Sequence, residues 1–345
     1  MNKKKLIFYV SVLVIWLFFR NFPHHTEVIY SRGLYPYLAK SLHFMLGWLP
    51  FSAGDVFYTL LIAFAIYFLI KNGKSVVKRP VWFLDKVCLF LTMLVFGFFL
   101  LWGFNYFRVS LANSLEIDTS YTEEELFTTV ETYLQEANKL HNQLALNDTL
   151  KVDYTLTKQQ IYDTAFKSYP LREYNLSCFS STQNVKTSIY STFLTYMGYS
   201  GYINPFTNEA QVNGKMIGYA VPVTACHEIA HQMGYAAEEE ANYLGYLAAR
   251  NSNDMYFKYS ACLFALRYLL NETYKVNPEK YELFLSKLNK GIVKNYTEVR
   301  DFWRKYENQA EPIFKNVYDS FLKANKQSQG IQSYNLVVGL LIKNR

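Results

Sequence analysis

The sequence predicts a mainly α protein, with three N-terminal transmembrane helices followed by a helix-rich soluble domain that carries a small β element. Three observations lead there. Long uncharged apolar runs fill the first third of the 345 residues. Basic charge is concentrated around those runs. From Tyr121 onward, apolar residues recur at helical spacing. At 51% hydrophobic and 18% aromatic, with 15 Gly and 9 Pro, the chain has too much apolar surface to stay disordered. Four cysteines in this length exclude a disulfide scaffold.

The apolar runs are Leu6–Phe19, Val56–Ile70 and Val87–Phe107. A hydrocarbon core of about 30 Å takes ~20 helical residues. The third run meets that length. Lys3, Lys4, Lys5 and Arg20 extend the first by snorkelling, and the second draws on the apolar stretch Phe44–Ala53 before it. The expected helices cover residues 5–20, 53–71 and 86–107, giving a membrane domain over 1–107. After the first run comes Arg20-Asn-Phe-Pro-His-His25, with no small-x-small cleavage site. That run therefore reads as a retained anchor rather than a removed signal peptide.

The net charge of +7 divides unevenly: residues 1–110 hold 12 basic against 3 acidic side chains, and the rest hold 23 against 25. Nucleic-acid binding needs a basic face on the folded domain, which a near-neutral remainder does not supply. Membrane topology accounts for the charge instead. Lys3, Lys4 and Lys5 precede the first span. Lys71, Lys74, Lys78, Arg79 and Lys86 lie between the second and third. Three spans put both groups on the cytoplasmic side and residues 108–345 on the extracytoplasmic side. The last apolar run, Leu336–Ile342, is too short to cross and is expected in the soluble core.

In the soluble part, Leu126, Val130, Tyr133, Leu134, Ala137, Leu140 and Leu144 line one helical face, and Thr122 and Glu125 have capping-box spacing. A second helix is expected over Lys158–Ser168, ending before Pro170, and a third over Lys186–Met197. The turn residues within Tyr199–Val212 predict a short β-hairpin or two edge strands. One apolar stripe runs through Glu298–Phe321, where Pro312 kinks the helix or opens a new one.

The chemistry concentrates in Cys226-His227-Glu228-Ile-Ala-His231-Gln-Met-Gly234-Tyr-Ala-Ala-Glu238-Glu239-Glu240-Ala241-Asn242. Six His in this length give on the order of 0.006 chance occurrences of His-Glu-x-x-His. On a helix, residues i and i+4 share a face, so His227 and His231 converge on one point. That point suits Zn²⁺ with two imidazole ligands, and Glu228 is placed to act on water rather than bind the metal. A catalytic zinc needs a third protein ligand. Glu238 is the first candidate, Glu239 the second and His141 a weak third. Gly234 can end the first helix in a left-handed cap. The next helix then presents Glu238, Ala241, Asn242 and Gly245 on one face, the small residues allowing close packing. Asn242 is suited to orient a ligating imidazole. Tyr219, Tyr235, Tyr243 and Arg267 are equal candidates for stabilising an oxyanion. Cys226 is expected to pack behind the helix.

His-Glu-x-x-His followed by Glu238-x-x-Ala241-Asn242 resembles the gluzincin pattern of zinc peptidases. The chain also resembles, over nearly its full length, a bacterial integral-membrane family known only as a domain of unknown function. That resemblance rests on Tyr30-Ser-Arg-Gly-Leu-Tyr35-Pro36, Trp48-Leu-Pro-Phe-Ser-Ala-Gly-Asp55 and the His227–Asn242 block. The gluzincin pattern implies a zincin-like domain over 108–345, with His227, His231 and Glu238 as zinc ligands and Glu228 as general base. The sequence departs from the pattern in having Asn242 where Asp is usual, and in a short gap between His231 and Glu238. Gly234 stands where metzincins place their helix-ending glycine. The expectation is a multi-pass protein of the bacterial cytoplasmic membrane, with a cytoplasmic N-terminus and partners limited to the bilayer and a peptide or protein substrate. The alternative is a catalytically inactive zinc-binding scaffold or adaptor.

Overall fold

In the computed structural model, which describes residues 3–169, 185–330 and 336–343, helices dominate. Pro170 and Cys178 lie outside the described residues. The first part comprises α1 (Lys3–Asn21), α2 (Pro23–His25), a π-helical segment (Thr26–Leu34), α3 (Tyr35–Leu46), α4 (Ala53–Lys78) and α5 (Pro80–Leu101). α4 and α5 are each long and apolar enough to cross a bilayer. α1 and its continuation over Pro23–Leu46 qualify only as a pair bent by 100°. The break falls at Pro23, which lacks an N–H and whose ring obstructs the preceding turn. Among the described residues there are thus two candidate spans, or three if the bent pair is one.

Two helix boundaries differ from those expected. α4 does not draw on Phe44–Ala53. Ser52 caps it by accepting from Asp55 N, and the helix continues through the basic residues to Lys78. α5 starts at Pro80 and stops at Leu101, short of residue 107. Gly103–Phe107 form a 3₁₀ turn that is buried throughout, packed in a second core with Tyr30, Tyr35 and Ala236. These residues are apolar because they face protein, and composition does not distinguish that from facing lipid.

The remainder comprises α6 (Leu111–Ser114), α7 (Glu123–Leu144), α8 (Lys158–Lys167), β1 (Val185–Thr187), α9 (Ser191–Met197), β2 (Gly201–Asn204), β3 (Glu209–Val212), α10 (Ala220–Gln232), α11 (Glu238–Asn251), α12 (Met255–Val276), α13 (Pro278–Ser286), α14 (Lys290–Arg304), α15 (Glu311–Ala324) and α16 (Val337–Lys343). Both halves of the Thr122/Glu125 capping box form, and the apolar face of α7 is buried. The helix expected over Lys186–Met197 begins only at Ser191. Val185–Thr187 instead pair in parallel with Ala210–Val212. β2 and β3 form the expected hairpin, Gly201 opposite Val212 and Asn204 opposite Glu209, turned by Asn208 at φ 53°. Glu298–Phe321 splits into α14 and α15, with Pro312 in the first turn of α15. Val337–Ile342 are buried in α16, within the main core.

The sheet order β1-β3-β2 leaves β2 at an edge, and α10 packs against all three strands. The sheet also holds the start of α4. Glu209 accepts from the N–H groups of Ala53 (3.1 Å) and Gly54 (2.5 Å), satisfying donors that a helix start leaves open. Asp55 accepts from Ser188 Oγ and Ile189 N at 2.9 and 2.7 Å.

Candidate metal centre

α10 carries His227, Glu228 and His231 into the core and ends at Gly234, whose φ of +80° is the left-handed cap a glycine supplies. A Cβ there would lie 2.9 Å from both Asn105 Oδ1 and the Tyr35 ring. α11 then packs against α10. A Cβ on Gly245 would stand 2.8 Å from His227 N, so this helix pair approaches more closely than a side chain allows.

The Nε2 atoms of His227 and His231 lie 3.4 and 3.6 Å from a single oxygen, Glu238 Oε2. Ligands at ~2.0–2.2 Å from a tetrahedral ion stand about 3.3–3.6 Å apart, and both nitrogen–oxygen separations match that spacing. Oε2 is buried without a hydrogen-bond partner, which a buried carboxylate oxygen rarely is. Oε1 of the same carboxylate accepts from the Tyr318 hydroxyl. His231 Nδ1 meets the carbonyl of Tyr235 at 2.7 Å. A carbonyl can only accept, so Nδ1 carries a proton and Nε2 is the nitrogen left to face a metal, giving up its own proton on ligation. Asn242 lies close enough to His227 and Tyr268 to influence the charge of both, while His227 Nδ1 itself is buried without a hydrogen-bond partner. His227, Glu228 and His231 also bring ligand atoms within 4.8 Å of one another, a group that could hold a metal ion. Two imidazoles, converging carboxylates and an orphaned buried oxygen fit a divalent cation.

Charge follows from this packing. Burial favours the neutral form of Glu238, but the facing imidazoles outweigh it and hold the carboxyl well below its usual range. Burial would lower His231, yet the Glu238 carboxylate lifts it to about 9. Burial lowers His227. Glu228 is pushed up to about 8 by burial, its Oε2 being without a partner. Glu239 is raised to about 7 by burial and then by Glu240 and Glu238, and the imidazoles do not act on it.

A family model described as Protein of unknown function (DUF3810) matches residues 30–342. The chain belongs to this family. No curated protein and no solved structure matches it. The match takes in the whole centre and the residues that hold it from the membrane side.

Those holding residues escaped the sequence reading. Trp102 Nε1 donates to the carbonyl of His231 at 2.8 Å, Tyr35 to that of Gln232 at 2.7 Å, and Arg108 to that of Gly234 at 3.0 Å. Arg108 is in turn paired with Glu27. Only Tyr35 stood in a block singled out beforehand, and Tyr318 stood in none. Of the oxyanion candidates, Tyr219 and Arg267 line a cavity of about 320 Å³ that reaches His227 and Glu228. Tyr235 is turned toward Arg108, 4.3 Å away, and Tyr243 is fully buried. His141 is a core residue between Leu150 and Asn289. Cys226 is buried behind α10, and neither it, Cys88 nor Cys262 is in a disulfide.

Proposed function

We propose that this protein is a membrane-anchored, zinc-dependent metallopeptidase with a zincin-like domain. The observation that carries the proposal is the shared oxygen: Glu238 Oε2 facing both imidazole Nε2 atoms at ligand-to-ligand spacing. His227, His231 and Glu238 would hold the ion. Two imidazoles and a carboxylate at that spacing favour zinc over harder cations. When bound, zinc supplies a Lewis acid and lowers the pKa of water toward ~7.

Each residue's task follows from its place. Glu228 faces the start of β2, where a Cβ on Gly201 would be 2.5 Å from Oε1. The Glu228 carboxyl, brought down from about 8 by a bound cation, would as the carboxylate accept the proton of the attacking water and deliver it to the leaving amine. Asn242 stands beside His227, and Tyr318 orients Glu238. Among the described residues β2 pairs only with β3, and its outer edge offers backbone groups to an extended peptide. With the bent α1 pair taken as one span, the basic groups Lys3–Lys5 and Lys71–Arg79 share a side and favour a cytoplasmic N-terminus, with the centre on the extracytoplasmic face of a bacterial inner membrane.

The test is metal content and peptide hydrolysis on the detergent-purified full chain. We expect about one zinc per chain, lost in His227→Ala and in Glu238→Ala. Glu228→Gln should keep the zinc and lose at least 100-fold in hydrolysis of a quenched peptide pool. A wild-type chain that binds zinc yet cleaves nothing, with Glu228→Gln silent, would leave the inactive scaffold. A chain without zinc would end both readings.

A further inference from the structure

The centre opens on a second and larger cavity, of about 660 Å³, and its walls say what kind of substrate would enter. His227, Glu228, His231 and Glu238 form its floor. Tyr58 of α4 and Phe98 of α5, both on candidate membrane spans, form one wall. Phe206, in the turn after β2, closes this side, its ring tilted against Phe57 at 5.0 Å and edge-on to Tyr58 at 6.3 Å. The opposite wall is α15, with Val317 and Phe321. α9 and α15, which pack together beside the cavity, carry apolar side chains outward: Phe193 is 68% exposed, Val317 65% and Ile313 63%. Large apolar groups clustered on an outer surface need a partner, and two contacts tie these helices to the candidate spans: Phe321 of α15 lies 5.9 Å from Phe98 of α5, and Tyr190, just before α9, hydrogen-bonds Thr59 of α4. That continuity selects the bilayer as what covers them.

β2 adds a direction. It starts at Gly201, against Glu228, and runs through Ile203 and Asn204 toward Phe206 and the membrane helices. The other side of Glu228 is less apolar, with Arg267, Lys315 and Asn242 set among Val223, Phe264 and Trp303 around the smaller cavity. An extended peptide pairs more stably with an edge strand in the antiparallel sense. Antiparallel to β2, a peptide travels from the membrane helices toward Glu228. Its residues before the scissile bond then lie in the apolar cavity, and those after it on the less apolar side.

Resting on the peptidase reading, we infer that the substrate is a polypeptide held in the bilayer at its N-terminal end, by an acyl chain or an apolar helix, and cut just outside the membrane. The C-terminal part is released into water.

The experiment uses the zinc-loaded full chain in phospholipid nanodiscs and one quenched peptide pool in four forms: soluble, palmitoylated at the N-terminus, palmitoylated at a C-terminal lysine, and fused after a Leu-rich helix. Both N-anchored forms should be cleaved at least tenfold faster than the C-anchored form. Preference for one N-anchored form identifies the acyl or the helical anchor. Val317→Trp, which narrows the cavity, should bring the N-to-C ratio to within twofold. Equal or reversed ratios in the wild type overturn the inference, as does a ratio that Val317→Trp leaves intact. Photo-crosslinking of the N-palmitoylated pool to the Glu228→Gln chain reads placement without turnover. Label on residues 201–206 and 314–321 supports the inference, and label confined elsewhere overturns it. Cleavage of no form by a zinc-loaded chain, with correct crosslinks, would instead sink the peptidase reading.

Discussion

The hydroxyl of Tyr35 donates to the carbonyl of Gln232 at 2.7 Å and accepts from Asn208 Nδ2 at 2.6 Å. One buried atom thus joins α3, the end of the metal-site helix and the β2–β3 turn. With Trp102 and Arg108 on the neighbouring carbonyls, it couples the last turn of α10 to the membrane-proximal chain. The centre is therefore held from the membrane side.

Tyr35→Phe removes only that hydroxyl and leaves the Gln232 carbonyl and the Asn208 amide each short of a partner. Buried groups left short cost about 1–3 kcal/mol. Thermal unfolding in detergent should show a Tm lower by ~2–6 °C with the zinc content unchanged. An unaltered Tm would mean that the membrane-side contacts do not hold α10.

Zinc binding should release a proton. In the metal-free chain His231 titrates at about 9, Glu238 is already ionised and burial lowers His227. At neutral pH the ligand set thus carries one proton, on His231, and ligation requires its loss. Apparent affinity should fall as pH drops below about 9, by roughly tenfold per unit while one proton is displaced. Calorimetry in two buffers of different ionisation enthalpy should give at least one proton per zinc at pH 7.5, the Glu228 carboxyl and the bound water adding to the His231 proton. Release of none would show that Glu238 does not charge His231.

Features set by local sequence were legible in advance: the apolar runs, the capping box, the i, i+4 histidines, and Gly234 as the turn into α11. Features set by distant partners were not. Val185–Thr187 sits in a helical pattern, yet its β-branched ends pair with a strand 25 residues on. Trp102–Phe107 has the composition of a membrane span, but Tyr30, Tyr35 and Ala236 pack around it. Tyr318 lies 80 residues beyond Glu238, on a helix whose stripe looked like ordinary core. Residue spacing carries the motif, and the positioning groups arrive only with the tertiary fold.

Gly201 tests where Glu228 works. A Cβ there would stand 2.5 Å from Glu228 Oε1 and 2.6 Å from the Gln211 carbonyl, so Gly201→Ala must displace the carboxylate or the strand. Peptide hydrolysis should fall at least tenfold while zinc stays near one per chain. Full activity would mean that Glu228 does not act from this position.

Tyr318→Phe tests whether the α15 tyrosine positions the third ligand. Its hydroxyl binds Glu238 Oε1, which fixes the carboxylate so that Oε2 faces the two imidazoles. Without it the carboxylate gains rotational freedom, and freedom in a ligand must be lost again on binding. Groups that orient metal ligands are worth about 10–100-fold in affinity. Competition against a chelator should therefore show zinc held at least tenfold more weakly, with about one ion still bound at saturation. The Phe ring keeps its packing against Phe321 and Tyr199, so Tm without metal should fall by no more than the ~2–6 °C expected of Tyr35→Phe. Weaker zinc in a chain still folded well below that Tm separates positioning from unfolding. Unchanged zinc affinity would reduce Tyr318 to a wall of the cavity.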